Sequence, residues 1–149
     1  MSSSSLIPYL AGLIDGEGYV GVKMQRHDHT RWGYDFAPIV SISLNSDELP
    51  ALSAIQEQLG FGKVTKSKTR PMASLIFRKR ADVIKILDLI EPEVRLTSMK
   101  ARLPLVRRIM LILGTYKHLS IGEFEELKRT MIELRRMSKR TKGIKRIWS

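Results

Sequence analysis

The chain contains no cysteine, which excludes disulfide cross-links, thiol catalysis and cysteine-ligated zinc and suits a reducing compartment. It also lacks any uninterrupted apolar run long enough to span a bilayer. The serines at positions 2–5 lead into a brief apolar segment with no basic residue ahead of it, so neither a membrane span nor a secretory leader is expected. A soluble, intracellular protein is the expectation, in the cytoplasm of a prokaryote or inside an organelle. Acidic residues run short in only one region. Residues 1–94 hold 11 Lys/Arg against 11 Asp/Glu, whereas residues 95–149 hold 15 against 4, so the whole net charge of +11 lies in the last third. A polyanion suits such a field, because each phosphate it neutralises releases condensed counterions. At 149 residues one domain is expected, large enough to bury a core without cross-links.

The most informative segment that is present is Leu10-Ala11-Gly12-Leu13-Ile14-Asp15-Gly16-Glu17-Gly18. Gly12 and Gly16 stand four apart, on one helical face, where a missing side chain lets another helix approach to backbone contact. Glu17 falls where the helix must end. Around this segment, residues 6–16 read as a helix with Pro8 tolerated in its first turn. Residues 19–26 alternate as a half-buried strand does, with Val20, Val22 and Met24 on one face and Tyr19, Gly21, Lys23 and Gln25 on the other. A loop from His27 to Gly33 leads to a second strand over 34–44, where Val40, Ile42 and Leu44 oppose Ser41, Ser43 and Asn45. Ser46 and Asp47 offer capping oxygens to a helix carrying Leu49, Leu52, Ile55 and Leu59, which Gly60 ends. Two short strands, 63–69 and 72–78, flank a turn at Arg70-Pro71. Helices follow over 82–90 and 98–113, and Ser120 with Glu123 forms a capping box for a last one reaching about residue 137. A basic tail occupies 139–149.

The nonapeptide resembles the signature of the LAGLIDADG homing endonucleases, and the element order over residues 6–90 is similar to that family's αββαββα core. The resemblance implies an α+β fold: a four-stranded antiparallel curved sheet with extra helices over 95–138, in one domain spanning 1–149. Only one copy of the motif is present. The second helix of the family's central pair must then come from a second subunit, so a homodimer with two-fold symmetry is expected. Leu10, Ala11, Gly12, Leu13, Asp15 and Gly16 would form its interface.

The resemblance further implies a site-specific double-strand cut in a long pseudo-palindromic DNA target, by an enzyme encoded in a mobile intron and using Mg²⁺, with other divalent ions able to substitute. Glu17 would be the catalytic, metal-binding acid, with the main-chain carbonyl of Gly16 in the coordination sphere. Asp15, two residues earlier, is assigned mainly to the turn and to helix packing. The family places a lysine near the scissile phosphate at a position that falls closest to Thr97, which is a mismatch. Lys100, one turn on, is the candidate basic group and Arg95 the second, each equally readable as a phosphate clamp or a solvated charge. A polar residue that orients water is also implied; Leu44 stands at the simplest alignment and cannot serve, leaving Asn45.

A sheet with one polar face can lie along the major groove, where every base pair shows a distinct donor and acceptor pattern. On that arrangement Lys23, Gln25, His27, Ser41, Ser43, Thr65, Ser67, Ser74, Ile76 and Arg78 project towards bases. His29, Arg31, Lys66, Lys68 and Arg70 lie in loops or at edges near phosphates. His27 and His29 have no evident third partner for zinc. Two other readings of the chain remain open: an intron-RNA-binding maturase on the same scaffold, favoured by the basic last third, and a DNA-binding regulator with an inert centre. The presence of Glu17 favours the nuclease over both.

Overall fold

The computed structural model describes residues 3–114 and 118–137; the basic tail over 139–149 lies outside them. Helix α1 (Ser3–Glu17) passes straight into β1 (Gly18–Arg26), followed by β2 (Tyr34–Asn45), α2 (Leu49–Leu59), β3 (Lys63–Lys66), β4 (Met72–Phe77), α3 (Arg80–Ile90), α4 (Thr97–Leu113) and α5 (Ile121–Arg136). The abrupt change from α1 to β1 depends on Gly18. A β-carbon there would stand 2.6 Å from the main chain of Ile14, a distance that no other residue could accept without moving the helix away.

The sheet is antiparallel throughout, in the order β1-β2-β4-β3. Its alternation follows the sequence pattern. Val20, Val22, Val40, Ile42, Leu75 and Phe77 are fully buried on one face, in a single cluster with Leu10 and Ile14 of α1, Leu52 of α2, Ile86, Leu87 and Ile90 of α3, and the inner sides of α4 and α5. Each such side chain contributes about 1.5–3 kcal/mol on removal from water. All the helices therefore lie on one side of the sheet, and the other side is left for something else.

Local signals place most ends to within a few residues, with two corrections, of which the first is β3, expected over 63–69 and ending at Lys66. A 3-10 turn, Ser46–Glu48, precedes α2, and it is the side chain of Asn45 that accepts from Asp47 N (2.9 Å); Ser46 and Asp47 do not cap α2, which starts at Leu49 with no side-chain cap. Asn45 is thus engaged in a turn. Gly60 closes α2 at φ 80, in the left-handed region, where glycine alone is unstrained. The capping box of α5 forms as expected: Ser120 Oγ accepts from Glu123 N, and Glu123 Oε1 accepts from Ser120 N, both at 3.1 Å.

The appended helices do more than thicken the core. Strand β1 lies at the edge of the sheet, and Arg102 of α4 covers that edge, its Nε donating to the Val20 carbonyl and its Nη1 to the Leu134 carbonyl of α5. One edge carbonyl, that of Val20, is thereby satisfied by a side chain instead of by a fifth strand. Arg107, farther along α4, donates to Asp88 (2.8 Å) and Glu91 (2.7 Å). Burial alone would make this guanidinium easier to deprotonate, but the hydrogen bonds to Glu91 and Asp88 outweigh it and hold the proton more firmly than usual. In the loop between β1 and β2, Trp32 stacks on Phe124 of α5 with ring centroids 4.4 Å apart. Among the described residues no helix is long and apolar enough to cross a membrane.

Candidate active site and nucleic-acid interface

Helix α1 has two unlike sides. Leu6, Leu10, Ala11 and Ile14 are buried in the core, while Ser5, Pro8, Tyr9, Gly12 and Gly16 are exposed. Leu10 and Ala11, expected at a subunit interface, retain no accessible surface; they belong to the protomer's own core, and the interface expectation is corrected there. Gly12 and Gly16 lie on the exposed side. A β-carbon at either would meet nothing within 4 Å, so nothing among the described residues requires a glycine at those places.

Glu17 is exposed at the last residue of α1. The carbonyls of a helix's final turn, Gly16 among them, are those the helix leaves unpartnered, and that end carries a partial negative charge that favours cations. Among the described residues no three His, Asp or Glu side chains gather to hold a metal ion. One protomer therefore offers a carboxylate and carbonyls but no complete cage. Such a donor set fits a hard divalent cation that keeps several waters and takes its remaining ligands from a partner and from phosphate.

Asp15 does different work. Its Oδ2 accepts from Arg95 N (2.8 Å) and Leu96 N (3.4 Å), fastening the tip of α1 to the segment just before α4. The packing role expected of it is what the geometry shows, although within the protomer. The same bond brings the exposed Arg95 close to the tip. Lys100 is exposed too, but Ser98 and Arg102 line the cleft beside Asp15, and a residue two places from each points about 200° away around the helix. Of the two candidate cations, Arg95 is the one whose main chain is fastened beside the tip.

The free face of the sheet is built by register. Lys23 and Gln25 of β1, Ser41 and Ser43 of β2, Ser74 and Ile76 of β4, and Thr65 of β3 share it. Ser43 and Ser74 sit opposite each other with hydroxyl oxygens 2.7 Å apart. Lys66 and Ser67 turn out otherwise, while His29, Arg31, Lys68 and Arg70 lie in exposed loops as expected. Lys66 pairs with buried Ala73, which puts it on the helix side at the sheet's far edge. Ser67 Oγ accepts from Thr69 N and Arg70 N, capping the β3–β4 turn that also carries exposed Lys68 and Arg70. Arg31 lies over the Trp32 ring at 4.7 Å, and the His27 and His29 rings meet edge-on at 5.7 Å. All three remain exposed in the β1–β2 loop.

Sequence reasoning missed Lys63 and Asp35. Lys63 faces Ile76, and the two-residue period of a strand, counted towards the N-terminus from Thr65, would have found it. Asp35 faces Gln25 and gives the surface an acceptor that could take a hydrogen from a cytosine amino group. Lys63, Arg78, Lys79 and Lys85, against the single acid Asp82, line a cleft of about 710 Å³ at the β3–β4 end of this face. The electrostatic footprint of the sheet is therefore cationic at its margin and neutral in its middle, as phosphates flanking base edges demand.

An exposed acid at a helix tip, set beside a free polar sheet face with a cationic margin, suits an enzyme that acts on nucleic acid. A LAGLIDADG endonuclease family profile matches residues 10–110, from the α1 signature into α4, and the chain belongs to that family. Its fold is similar to that of the homing endonuclease I-TnaI, with 24% identity, 93% of both chains covered and a TM-score of 0.79. It is also similar to I-CvuI in complex with the I-CreI target in the presence of magnesium with the DNA not cleaved, with 17% identity, 96% of this chain and 92% of that one covered and a TM-score of 0.81. The LAGLIDADG meganuclease I-CpaMI bound to uncleaved DNA matches with 20% identity and a TM-score of 0.73, over 83% of this chain but 41% of that one. No curated protein sequence matches.

Proposed function

We propose that the chain is one protomer of a homodimeric, site-specific DNA endonuclease that uses Mg²⁺ to cut both strands of a long pseudo-palindromic target. The observation that carries this reading is the outer face of α1: two glycines with open space above them, leading to an exposed Glu17. A second copy of the same helix, crossing at Gly12 and Gly16, would bring two Glu17 carboxylates together at a two-fold axis. The proportions agree with this, since the chain covers nearly all of I-TnaI but less than half of I-CpaMI.

Breaking a phosphodiester requires an in-line water and neutralisation of charge on the phosphoryl and leaving oxygens, and a bound divalent cation supplies both when present. Glu17 would hold such an ion through its carboxylate and Gly16 through its main-chain carbonyl. Asp15, bonded to Arg95 N and Leu96 N, keeps the helix end from drifting. Arg95 is placed to neutralise a phosphate next to the tip, and Lys100 to clamp one farther out. The polar sheet face carries sequence discrimination, while Lys63, Arg78, Lys79 and Lys85 hold the flanking backbone.

Glu17→Gln removes the charge and keeps the shape. Cleavage of the target should fall to below about a thousandth of the original rate, a loss of roughly 4 kcal/mol of transition-state stabilisation, with binding preserved. A Glu17→Gln protein that cuts normally would mean a different acid does the work. Sedimentation of the protein on its duplex should give two protomers per site, and a single bound protomer would contradict the crossing of α1 with its copy. A splicing role on intron RNA is the less favoured reading, because a carboxylate held out towards phosphates repels them unless a cation joins it.

A further inference from the structure

Two buried atoms with unmet hydrogen-bonding capacity belong to residues that line the same cleft. Arg102 is only 8% exposed, and its Nη2, like Oδ1 of Asp15, is a buried polar atom with no partner. Both residues line a cleft of about 370 Å³ between the tip of α1, the start of β1 and the first turns of α4, with Ser98 and Tyr19 also on its wall. A buried guanidinium edge left unpaired is costly, and so is a buried carboxylate oxygen. One is a donor and the other an acceptor.

The chemistry of the walls selects the occupant. An anion would be repelled by Asp15 and a cation by Arg102. A water can accept from a donor such as Nη2 and at the same time donate to an acceptor such as Oδ1, so it is the occupant that suits both groups. The rest of each side chain is already fixed. Asp15 Oδ2 is bonded to Arg95 N and Leu96 N, and Arg102 is bonded to the Val20 and Leu134 carbonyls with its guanidinium carbon 5.3 Å from the Tyr19 ring centroid. Glu17 therefore lies between two pinned points, Asp15 and Val20, which are both tied to α4 and its lead-in segment.

We infer that Arg102 is a positioning residue for Glu17: through an ordered water shared with Asp15 it locks the last turn of α1 and the first residues of β1 into one rigid unit. The kinetic consequence rests on the endonuclease reading above; the structural consequence does not. Arg102→Met should raise amide hydrogen exchange at Arg95 and Leu96 about tenfold, without a matching rise at the core amides of β4, because only the local opening becomes easier. On an Asp15→Ala background the same substitution should add nothing at those two amides. Arg102→Lys should restore most of the protection. In cleavage, Arg102→Met should lower kcat about tenfold with KM within twofold, as loss of a pre-set geometry does.

Unchanged exchange at Arg95 and Leu96, or effects of Arg102→Met and Asp15→Ala that simply add, would overturn the inference. Altered exchange with unaltered kcat would overturn the positioning role, leaving the Glu17→Gln experiment to judge the endonuclease reading separately. Should Arg102→Met fail to fold, Arg102→Lys and a high-resolution crystal of the unmodified protein decide it. A water within hydrogen-bond distance of both Nη2 and Oδ1 supports the inference, and a dry cleft or a direct Arg102–Asp15 pair overturns it.

Discussion

The two sides of α1 obey different rules although they share fifteen residues. On the inner side, Leu6, Leu10, Ala11 and Ile14 are buried by this chain's own sheet and helices, so their identities are explained by the fold. On the outer side, Gly12 and Gly16 each forgo about 1 kcal/mol of helix stability relative to alanine, and no neighbour among the described residues crowds them. Gly18, next along the chain, is required by its closeness to Ile14. On the dimer proposed above, a glycine that the described fold does not need would be accounted for by the partner's helix.

This contrast can be broken or sharpened by substitution. The largest effect on protomer stability is expected on the inner side, where Leu10→Ala should cost about 2–5 kcal/mol in denaturant unfolding through lost transfer energy and a residual cavity. A loss below about 1 kcal/mol would show that the site collapses or was never tightly packed. Gly12→Leu should separate stability from assembly. The isolated protomer should be unchanged or gain up to about 1 kcal/mol from better helix propensity, while the dimer weakens by about 100-fold or more, since a side chain now fills the groove. A variant that dimerises as before, measured by sedimentation across a dilution series, would move the interface elsewhere. Away from α1, Lys63→Ala should reduce the slope of log affinity against log salt by about 0.9 for each phosphate that the lysine no longer neutralises, with no change in sequence preference. The smallest effect belongs to Ser120→Ala, which removes one half of the α5 capping box and should cost about 1 kcal/mol, with cleavage unaltered.

The fold was legible in the sequence because its signals are local. Alternation at Val20 to Gln25 and at Val40 to Asn45 marked the strands, Gly60 marked a helix end, and Ser120 with Glu123 marked a helix start; each is decided within a few residues. Misplacements arose wherever a distant partner decides. Leu10 and Ala11 share the motif with Gly12, and only the packing of α1 on the sheet tells which residues turn inwards. Lys66 and Ser67 follow Thr65 in a polar run, yet the pairing of β3 with β4 ends at Lys66 and the turn takes the Ser67 hydroxyl. Arg102 was invisible for the same reason. In a helix containing Arg107 and Arg108 it looks like one more surface charge, and nothing nearby in the chain announces that β1 lacks a neighbour along that edge.

The stacking of Trp32 on Phe124 has a practical consequence for retargeting. His27, Asp28, His29 and Arg31 form the exposed part of the β1–β2 loop, and their side chains can be recoded without disturbing the core, whereas the Thr30 hydroxyl holds the loop by donating to the His27 and Tyr34 carbonyls. Trp32 cannot be treated likewise, because it anchors the end of that loop to α5. A loop grafted from a relative would keep its shape only if the aromatic it rests on travelled with it, so libraries that randomise the loop should hold positions 32 and 124 constant as a pair.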